Sequence, residues 1–306
     1  MGTDKRERQK AGRQARLIEA QAAAQRAQRR RRVVSIVVGV LLGLGGGLLI
    51  SLLSGDDGDG DGDEQAVDVG DEGAAPDEGS TTSAPEGAET PEAPGEGASI
   101  SGETPCPPAE GGERTTSFEQ PPPMCIDPDA TYTATFTTTE GDVSVALRAG
   151  RMPGTTNNFV VLARYGYFDD TALFRTDPSI GIIQGGSPVT NTNEEPGPGY
   201  AIEDEGGEFD FSDPNAPTGP FTYEPGQLIM ARSQGPDSSS AQFFFSAAPE
   251  VSNLDGQGTY LLFGEVTEGI DVLEAILASH QADPTSPLGG APAEPVIIER
   301  VTISES

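Results

Sequence analysis

One arginine, Arg175, lies in an apolar, strand-like run that closes with Gln184-Gly-Gly. Beyond residue 32 the chain holds seven arginines and no lysine, so a cation inside an apolar run is not generic surface charge. A guanidinium on such a run can serve as a fixed hydrogen-bond donor to a bound group. It can instead be a structural arginine that pairs with Asp177 or Glu203. The stretch therefore indicates either a site built on donors or a structural ion pair.

The chain holds two cysteines and a single histidine, His280. Together they offer too few ligands for a metal site. No base lies near either thiol in the sequence, which argues against a catalytic cysteine. If the domain lies outside the cytoplasm, we expect Cys106 and Cys125 to form a structural disulfide that holds the end of the preceding segment to the domain. His280 follows a predicted helix, and we expect it to be exposed and without a role in catalysis.

An acidic repeat over residues 57–64 superficially resembles a calcium loop. No helix flanks it and no glutamate stands at its twelfth position, so we interpret it as part of a spacer. Residues 54–104 are rich in Gly, Pro, Ala, Ser and Thr, with 16 acidic groups and no Lys or Arg. Such a segment buries too little apolar surface to fold, and its charges repel one another. We predict a disordered acidic linker over 54–104, followed by a Pro-rich lead-in over 105–130.

Charge is divided sharply along the chain. Residues 1–32 hold 11 basic and 3 acidic groups, whereas all other residues together hold 7 basic and 46 acidic groups. A body this acidic does not bind nucleic acid, because neutralising phosphates requires cations. We predict that the basic segment, residues 1–32, is cytoplasmic. There it serves as a topology signal, or it is attracted to anionic lipid.

An uncharged run of 21 residues follows at 33–53. As a helix it would span about 31 Å, close to the hydrocarbon thickness of a bilayer. A cleaved signal peptide is the alternative, but its apolar region is usually shorter and ends in a small-x-small site. We therefore expect a single-pass membrane helix with a cytoplasmic N-terminus and the acidic body outside. Gly39, Gly43 and Gly47 recur at a spacing that weakly indicates a helix dimer.

The folded body is predicted over residues 131–306. Alternating β-rich runs at 131–139 and 143–147 flank Glu140-Gly-Asp, which indicates a hairpin. Many short strands with just two helices indicate a closed β-barrel whose ends are plugged by the helices. We predict further strands at 173–176, 180–184, 227–231, 242–246, 260–265 and 296–303.

Two helices are predicted in this body. We expect residues 155–158 to cap a short helix that continues through Ala163. A second helix is expected at 267–280, with four apolar residues on one face. These four residues are Ile270, Leu273, Ile276 and Leu277.

Several short motifs of the folded body occur in the order known from one enzyme family. They are Asn157-Asn158-Phe159-Val160-Val161-Leu162-Ala163, Phe174-Arg175, Ile183-Gln184-Gly185-Gly186, Gly197-Pro198-Gly199-Tyr200 with Glu203-Asp204-Glu205, Gly226-Gln227-Leu228-Ile229-Met230-Ala231, Ala241-Gln242-Phe243-Phe244, Leu254-Asp255-Gly256 and Phe263-Gly264-Glu265-Val266. On these motifs the chain resembles a cyclophilin-type peptidyl-prolyl cis-trans isomerase, in a membrane-anchored bacterial form. The resemblance implies a mainly β fold, a closed eight-stranded antiparallel barrel capped by two helices, and no cofactor or metal.

The resemblance implies that Arg175 is catalytic and donates a hydrogen bond to the prolyl nitrogen of an X–Pro bond. Rotation about that bond is opposed by amide resonance, with a barrier of about 18–20 kcal/mol. In the twisted state the nitrogen regains a lone pair, so a fixed donor stabilises that state more than the planar one. An apolar cup would hold the proline ring. The residues implied to bind the substrate are Gln184, Ile182, Ala231, Arg232, Gln242, Phe244, Leu254 and Tyr260.

The chain departs from the family pattern at several positions around the implied pocket. It carries one extra residue before Gln184, and Gly181 or Ile180 stands where the family has a pocket Phe. Asn253 stands where many members have a Trp associated with cyclosporin, so we expect weak cyclosporin sensitivity. Three further departures are Arg232 in place of Asn, one extra residue before Gly235-Pro236, and about two extra residues over 256–260.

The sequence thus predicts an isomerase that accelerates X–Pro rotation in unfolded or secreted proteins outside the cytoplasm. Its expected partners are proline-containing polypeptides and the lipid bilayer, with no nucleic acid. The first alternative is a catalytically weak, chaperone-like module that binds proline-containing segments. The second alternative is a structural domain on a stalk, which would leave Arg175, Gln184 and Phe244 unexplained.

Overall fold

The computed structural model describes residues 91–284, 286 and 288–306 of the 306-residue chain. The predicted basic segment, the predicted membrane helix and residues 54–90 of the predicted linker therefore lie outside the described residues. Among the residues that are described, no helix is long and apolar enough to cross a membrane. They form a mainly β domain with two α-helices, as the sequence predicts.

The sheet is built from short strands that are far apart in the sequence. Strands β3 to β13 pair in the order β11-β12-β6-β7-β9-β8-β10-β4-β3-β13-β5, and every pairing is antiparallel. The helices are α1 (Pro153–Arg164) and α2 (Ile270–Ala278), with a 3₁₀ helix at Pro249–Leu254. The strands are β1 (Ala98–Ile100), β2 (Thr115–Phe118), β3 (Tyr132–Thr138), β4 (Gly141–Leu147), β5 (Thr171–Ala172), β6 (Arg175–Asp177), β7 (Ile182–Gly185), β8 (Gln227–Arg232), β9 (Ser239–Ser246), β10 (Leu262–Glu268), β11 (His280–Ala282), β12 (Gly290–Pro292) and β13 (Ile297–Glu305).

The sheet differs from the predicted barrel in strand number and in closure. Eleven described strands share it, and its order runs from β11 at one edge to β5 at the other. The short hairpin of β11 and β12 extends one edge, and β5 ends the other edge beside β13. The described strands therefore form a curled half-barrel with two edges, whereas the sequence predicted eight strands in a closed ring.

The predicted hairpin is confirmed at β3 and β4. Thr138 pairs with Gly141, which leaves a two-residue turn between the strands. Gly141 has φ +131°, a conformation that L side chains rarely adopt. Every second residue of β3 is buried, because successive side chains of a strand point to opposite faces. The other predicted strands are also present, with ends displaced by up to three residues.

Helix α1 begins two residues earlier than predicted, and a distant side chain caps it. The carboxylate of Glu205 accepts hydrogen bonds from the backbone N–H groups of Gly154, at 3.2 Å, and Thr155, at 2.5 Å. The first N–H groups of a helix have no partner inside the helix, so this carboxylate satisfies two of them. The prediction that residues 155–158 form the cap is therefore wrong, because these four residues lie buried inside the helix.

Helix α2 is shorter than its predicted range of 267–280. It follows Gly269, where a Cβ atom would lie 2.3 Å from the carbonyl oxygen of Asp142. Leu273, Ile276 and Leu277 are buried as predicted. Ile270, predicted on the same face, is 37% exposed at the first position of the helix.

An aromatic core fills the inside of the curled sheet. Phe243 and Phe245 of β9 pack edge to face, with ring centroids 5.6 Å apart. The ring of Phe159, from α1, lies 6.1 Å from that of Phe243 and 5.1 Å from that of Phe168. Phe136, from β3, contacts both rings of β9 at 5.5 and 5.0 Å. This core fixes which face of β9 points inward and which points to the site.

The lead-in segment is ordered and packs on the domain. The predicted disulfide between Cys106 and Cys125 is present, with the two Cα atoms 5.4 Å apart. Strands β1 and β2 pair in parallel, so residues 98–100 of the predicted disordered linker form regular structure instead. Asn157 of α1 anchors the segment, since it donates to the carbonyl of Pro123 and accepts from the N–H of Cys125.

Candidate active site

The pairing of three neighbouring strands brings the predicted functional side chains to one face. Arg175 of β6 lies opposite Gln184 of β7, and Gln184 lies opposite Phe244 of β9. Directly opposed residues of antiparallel strands point to the same face of a sheet. Ile182 and Gln242 lie two positions away along their strands and so share that face. Strand register alone therefore gathers five of the predicted residues.

These residues line a cavity of about 380 Å³ on the side of the sheet away from the aromatic core. The predicted residues come from four strands, the 3₁₀ helix and the segment before β10. Their catalytic and binding roles stay predictions, but the structure brings all of them to the same place. The predicted residues that line the cavity are Arg175, Ile182, Gln184, Ala231, Arg232, Gln242, Phe244, Leu254 and Tyr260.

One end of the cavity is apolar. The rings of Phe244 and Tyr260 meet edge to face with centroids 5.5 Å apart, and Leu254 lies beside them at the end of the 3₁₀ helix. The buried phenol of Tyr223 holds Tyr260 in place: it donates to the Tyr260 carbonyl at 3.0 Å and accepts from the Tyr260 N–H at 2.8 Å. Burial raises the pKa of Tyr223 above its ordinary value, so this phenol stays protonated at neutral pH.

Arg175 lines the same cavity, and its side chain is 14% exposed. Its Nη1 donates to Oε1 of Gln184 at 2.9 Å, and its Nη2 donates to Oδ2 of Asp177 at 3.0 Å. Its Nε donates to the backbone carbonyl of Leu288 at 2.5 Å. The guanidinium is thus fixed from three sides. The ion pair with Asp177 is present, and the role of Arg175 as a donor to a bound group stays a prediction.

A chain of carboxamides continues from Arg175 along the cavity wall. Nε2 of Gln184 donates to Oε1 of Gln242 at 2.8 Å. Nε2 of Gln242 lies 3.4 Å from the carbonyl oxygens of both Thr192 and Asn193. Each carboxamide is therefore oriented by its neighbours, which holds the polar wall in one arrangement.

Arg232 lines the cavity, but its hydrogen bonds go to other groups of the protein. Its side chain is 2% exposed, and its Nη2 donates to Oδ2 of Asp204 at 2.9 Å. It also donates to the carbonyls of Gly235, at 2.5 Å, and Thr259, at 2.7 Å. The guanidinium lies 4.8 Å from the centre of the Phe211 ring. Arg232 therefore joins four loop segments, and its positive charge is offset by Asp204.

His280 is not exposed as the sequence predicts. It is half-buried at the start of β11, and its Nδ1 lies 2.7 Å from Oγ1 of Thr176. Thr176 is fully buried and precedes Asp177 on β6. The hydrogen bond forms because the β11–β12 hairpin folds back onto β6, a contact between residues 104 positions apart.

Sequence reasoning missed several residues that complete the cavity. Leu288 lines it and supplies the carbonyl that accepts from Arg175, although 113 positions separate the two residues. Asn193 and Glu195 lie in a loop that no predicted element includes. Asp177, one of the two predicted ion-pair partners of Arg175, does form that pair.

Comparisons with known proteins point to one family. The family model for cyclophilin type peptidyl-prolyl cis-trans isomerase/CLD matches residues 133–303. Peptidyl-prolyl cis-trans isomerase B of Escherichia coli is 31% identical over 178 residues, which cover 56% of this chain and 99% of that protein. Peptidyl-prolyl cis-trans isomerase A of Mycobacterium tuberculosis is 33% identical over 194 residues, covering 58% of this chain and 94% of that protein.

Other similar proteins are matched over a smaller share or at lower identity. Peptidyl-prolyl cis-trans isomerase-like 2 of Cryptococcus neoformans is 31% identical over 170 residues, which cover 56% of this chain and 27% of that protein. This chain thus spans about a quarter of that relative. A crystal structure of a Cryptosporidium parvum cyclophilin type isomerase is 24% identical with a TM-score of 0.44, covering 57% of this chain and 99% of that one. On the family model and the bacterial relatives, the chain belongs to the cyclophilin type peptidyl-prolyl cis-trans isomerase family.

Proposed function

We propose that the described domain accelerates the cis–trans rotation of X–Pro bonds in polypeptides. The observation that carries this proposal is the position of Arg175. Its guanidinium is fixed by hydrogen bonds in the wall of the cavity that the apolar cup of Phe244, Leu254 and Tyr260 also lines. A donor beside an apolar cup is the arrangement that rotation about a prolyl bond requires.

The reaction needs neither proton transfer nor a covalent intermediate. The cup holds the proline ring while the carbonyl side of the X–Pro bond turns. As the bond leaves planarity, the prolyl nitrogen loses its amide resonance and regains a lone pair. The guanidinium of Arg175 donates to that lone pair and so lowers the free energy of the twisted state more than that of either planar state. No cofactor or metal enters this mechanism.

The remaining residues of the cavity bind and orient the polypeptide in this proposal. The carboxamides of Gln184 and Gln242 hydrogen-bond its backbone, and Ala231 offers the end of β8 as a surface for an extended segment. Ile182 completes the apolar wall beside Phe244. Pre-orientation by neighbouring hydrogen bonds keeps the entropy lost on binding small.

One observation favours a second candidate function, a weak module that binds proline-containing segments. All three nitrogen atoms of the Arg175 guanidinium already donate to protein acceptors, and one of these is the carboxylate of Asp177. A cation paired in this way has less capacity to stabilise a new acceptor. In that case the cavity holds the proline ring while the rotation is accelerated little.

Replacement of Arg175 separates the two candidates. For Arg175→Ala we expect kcat/KM on an X–Pro peptide to fall about 10²–10³-fold, the usual loss when one donor to a transition state is removed. The matched control is Arg148→Ala, which removes an arginine whose ion pair with Glu265 lies outside the cavity. A protease-coupled isomerisation assay measures the rates, with binding of the same peptide measured by calorimetry.

Each result of this experiment has a definite meaning. Equally slow rates for the natural protein and Arg175→Ala would contradict the proposed catalysis of X–Pro rotation. Peptide binding retained in both proteins then supports the binding module. Loss of binding as well contradicts both candidates and leaves a structural domain.

We further propose that the domain acts outside the cytoplasm of a bacterial cell, held to the membrane by residues 33–53. The uncharged run, its basic flank and the Cys106–Cys125 disulfide support this location. Its clients are then unfolded or secreted polypeptides. Protease added to intact spheroplasts should remove the domain and leave the cytoplasmic segment. A domain that is protected from the protease, or that is recovered in the soluble cytoplasmic fraction, contradicts the proposal.

A further inference from the structure

A second cavity of about 370 Å³ adjoins the first one. The two cavities share Arg232, Ser233 and Tyr260. The second cavity is otherwise enclosed by a loop at residues 211–217, by the turn at residues 234–236, and by Gln257. The second cavity therefore lies directly beside the first.

The second cavity is formed where the chain departs from its family pattern. Two of the departures, at Arg232 and before Gly235, are neighbours in the sequence, whereas the third, over residues 256–260, lies about 20 positions further along the chain. In the structure they meet, because Arg232 donates to the carbonyls of Gly235 and Thr259. Residues from each of these segments line the second cavity. The departures are thus parts of one feature, built beside the family's common cavity.

The loop that closes this cavity is formed in advance of any ligand. Asp210 and Thr218 exchange two backbone hydrogen bonds at its base, at 2.8 and 2.9 Å. Nε2 of Gln234 donates to the carbonyl of Pro214 at 3.3 Å and so joins the loop to the opposite wall. A pocket with preformed walls binds without the loss of loop entropy that a disordered one would suffer.

The lining of the second cavity indicates the chemistry of its ligand. Its apolar walls are the rings of Phe211, Pro214, Pro217 and Pro236, and its polar groups include the carboxamides of Asn215, Gln234 and Gln257. Among the described lining residues there is no Asp or Glu, and the charge of Arg232 is offset by Asp204. An ionised side chain would therefore find no free partner. A large neutral side chain with a flat face fits this lining.

We propose that the second cavity binds an aromatic side chain of the polypeptide whose proline occupies the first cavity. This inference rests on the proposed function, because it assigns a specificity pocket to the same reaction. An extended chain advances about 3.3 Å per residue, and the two cavities share three lining residues, so the second cavity lies within reach of a side chain a few positions from the proline. Tyrosine and phenylalanine at that distance are preferred over alanine.

Peptides and loop variants test this proposal together. One peptide has alanine around a single X–Pro bond, and a series moves one phenylalanine through the three positions on either side. We expect kcat/KM to be roughly tenfold higher at one position of the series, a ratio that partial burial of one aromatic ring supplies. Gln234→Trp and Asn215→Trp each fill the second cavity from an exposed position of its wall, and each should abolish the preference.

The matched control is Ser212→Trp, which adds the same indole to the same loop at an exposed position that lines neither cavity. It should keep the natural preference. The proposal is overturned if no position of phenylalanine raises kcat/KM, or if both filling variants keep the preference. If no peptide is isomerised at all, the proposed function fails. In that case the affinities of the same peptides are measured by calorimetry. Tighter binding of one phenylalanine peptide than of the alanine peptide supports the second cavity, and equal affinities overturn it.

Discussion

Two arginines line the same cavity, and their surroundings differ. Arg175 lies on a strand, keeps 14% of its side chain exposed and is held by a carboxamide, a carboxylate and a backbone carbonyl. Arg232 lies where a strand ends, is 2% exposed and joins four loop segments. The first retains a surface that faces the cavity, whereas the second is enclosed by the protein. Residue type and cavity lining therefore do not decide by themselves which arginine meets a ligand.

The walls around the two arginines are built by different means. Strand pairing forms the wall at Arg175, since Gln184 and Phe244 follow from register across β6, β7 and β9. Loops form the wall at Arg232, and the ion pair with Asp204 is the contact that joins them. A wall formed by strand pairing keeps its structure when one side chain is removed. A wall made by loops depends on the side chain that ties them together.

Arg232→Ala should have the largest effect on folding. Removing one partner of a buried ion pair leaves the other charge uncompensated, and the usual loss is about 3–5 kcal/mol in the free energy of unfolding. Urea denaturation followed by circular dichroism measures it. The matched variant Arg175→Ala should lose much less stability, because its wall is formed by strand pairing. Equal losses for both variants would contradict the division of roles.

The double variant Arg232→Met/Asp204→Leu tests the same ion pair in another way. Replacing both charges by apolar residues of similar size is often neutral or stabilising. We therefore expect this protein to unfold closer to the natural one than Arg232→Ala does. A double variant as unstable as Arg232→Ala would indicate that the hydrogen bonds to Gly235 and Thr259 dominate over the charge pair.

Asp177→Ala should have a smaller effect than Arg232→Ala. It should lower the rate of the reaction more than it lowers the stability of the fold. Asp177 accepts from Nη2 of Arg175 and is itself fixed by the N–H and hydroxyl of Ser179, at 3.1 and 2.6 Å. Without it the guanidinium has more freedom, and we expect kcat/KM to fall about tenfold, mostly in kcat. Asp177→Asn keeps an acceptor and should lose less. A gain in kcat for Asp177→Ala would instead show that the ion pair restrains the enzyme.

Tyr223→Phe should weaken the apolar end of the cavity. It removes the hydroxyl that donates to the Tyr260 carbonyl and accepts from the Tyr260 N–H, which lowers stability by about 1–2 kcal/mol. Burial raises the pKa of Tyr223, so its contribution is complete below pH 10, near the ordinary tyrosine pKa, and falls as pH rises through the higher folded value. Stability measured from pH 7 to 10 should show no Tyr223 titration. A loss near pH 9 that Tyr223→Phe abolishes would contradict this.

Asp169→Asn should have the smallest effect, at a position outside both walls. Burial raises the pKa of Asp169, although its Oδ1 accepts from the N–H of Val301 at 3.1 Å. A raised folded pKa means that the stability contribution is present at low pH and is lost as pH rises. Asn keeps the acceptor without the charge, so we expect a gain of less than about 1 kcal/mol at pH 7 and none at pH 3. Thermal unfolding at both pH values measures the change in stability. A variant less stable than the natural protein at pH 7 would contradict the expected gain.

Local pattern in the sequence determined much of the fold and of the site. Side chains alternate along β9, so Phe243 and Phe245 lie in the core and Phe244 lines the cavity, because successive strand residues point to opposite faces. The motifs around Arg175 and Gln184 identified two strands that proved to be neighbours. The cysteine pair was also predictable, since two cysteines allow a single pairing.

Tertiary structure alone decided the contacts between distant segments. Glu205 caps α1 from 50 positions away, and Leu288 completes the hold on Arg175 from 113 positions away. The burial of Arg232 and the second cavity depend on how loops from different parts of the chain meet, which no periodicity encodes. Side-chain alternation repeats within a few residues and can be read locally. Contacts across loops depend on the path of the whole chain, so only the structure shows that the side chain of Arg175 is 14% exposed and that of Arg232 is 2% exposed.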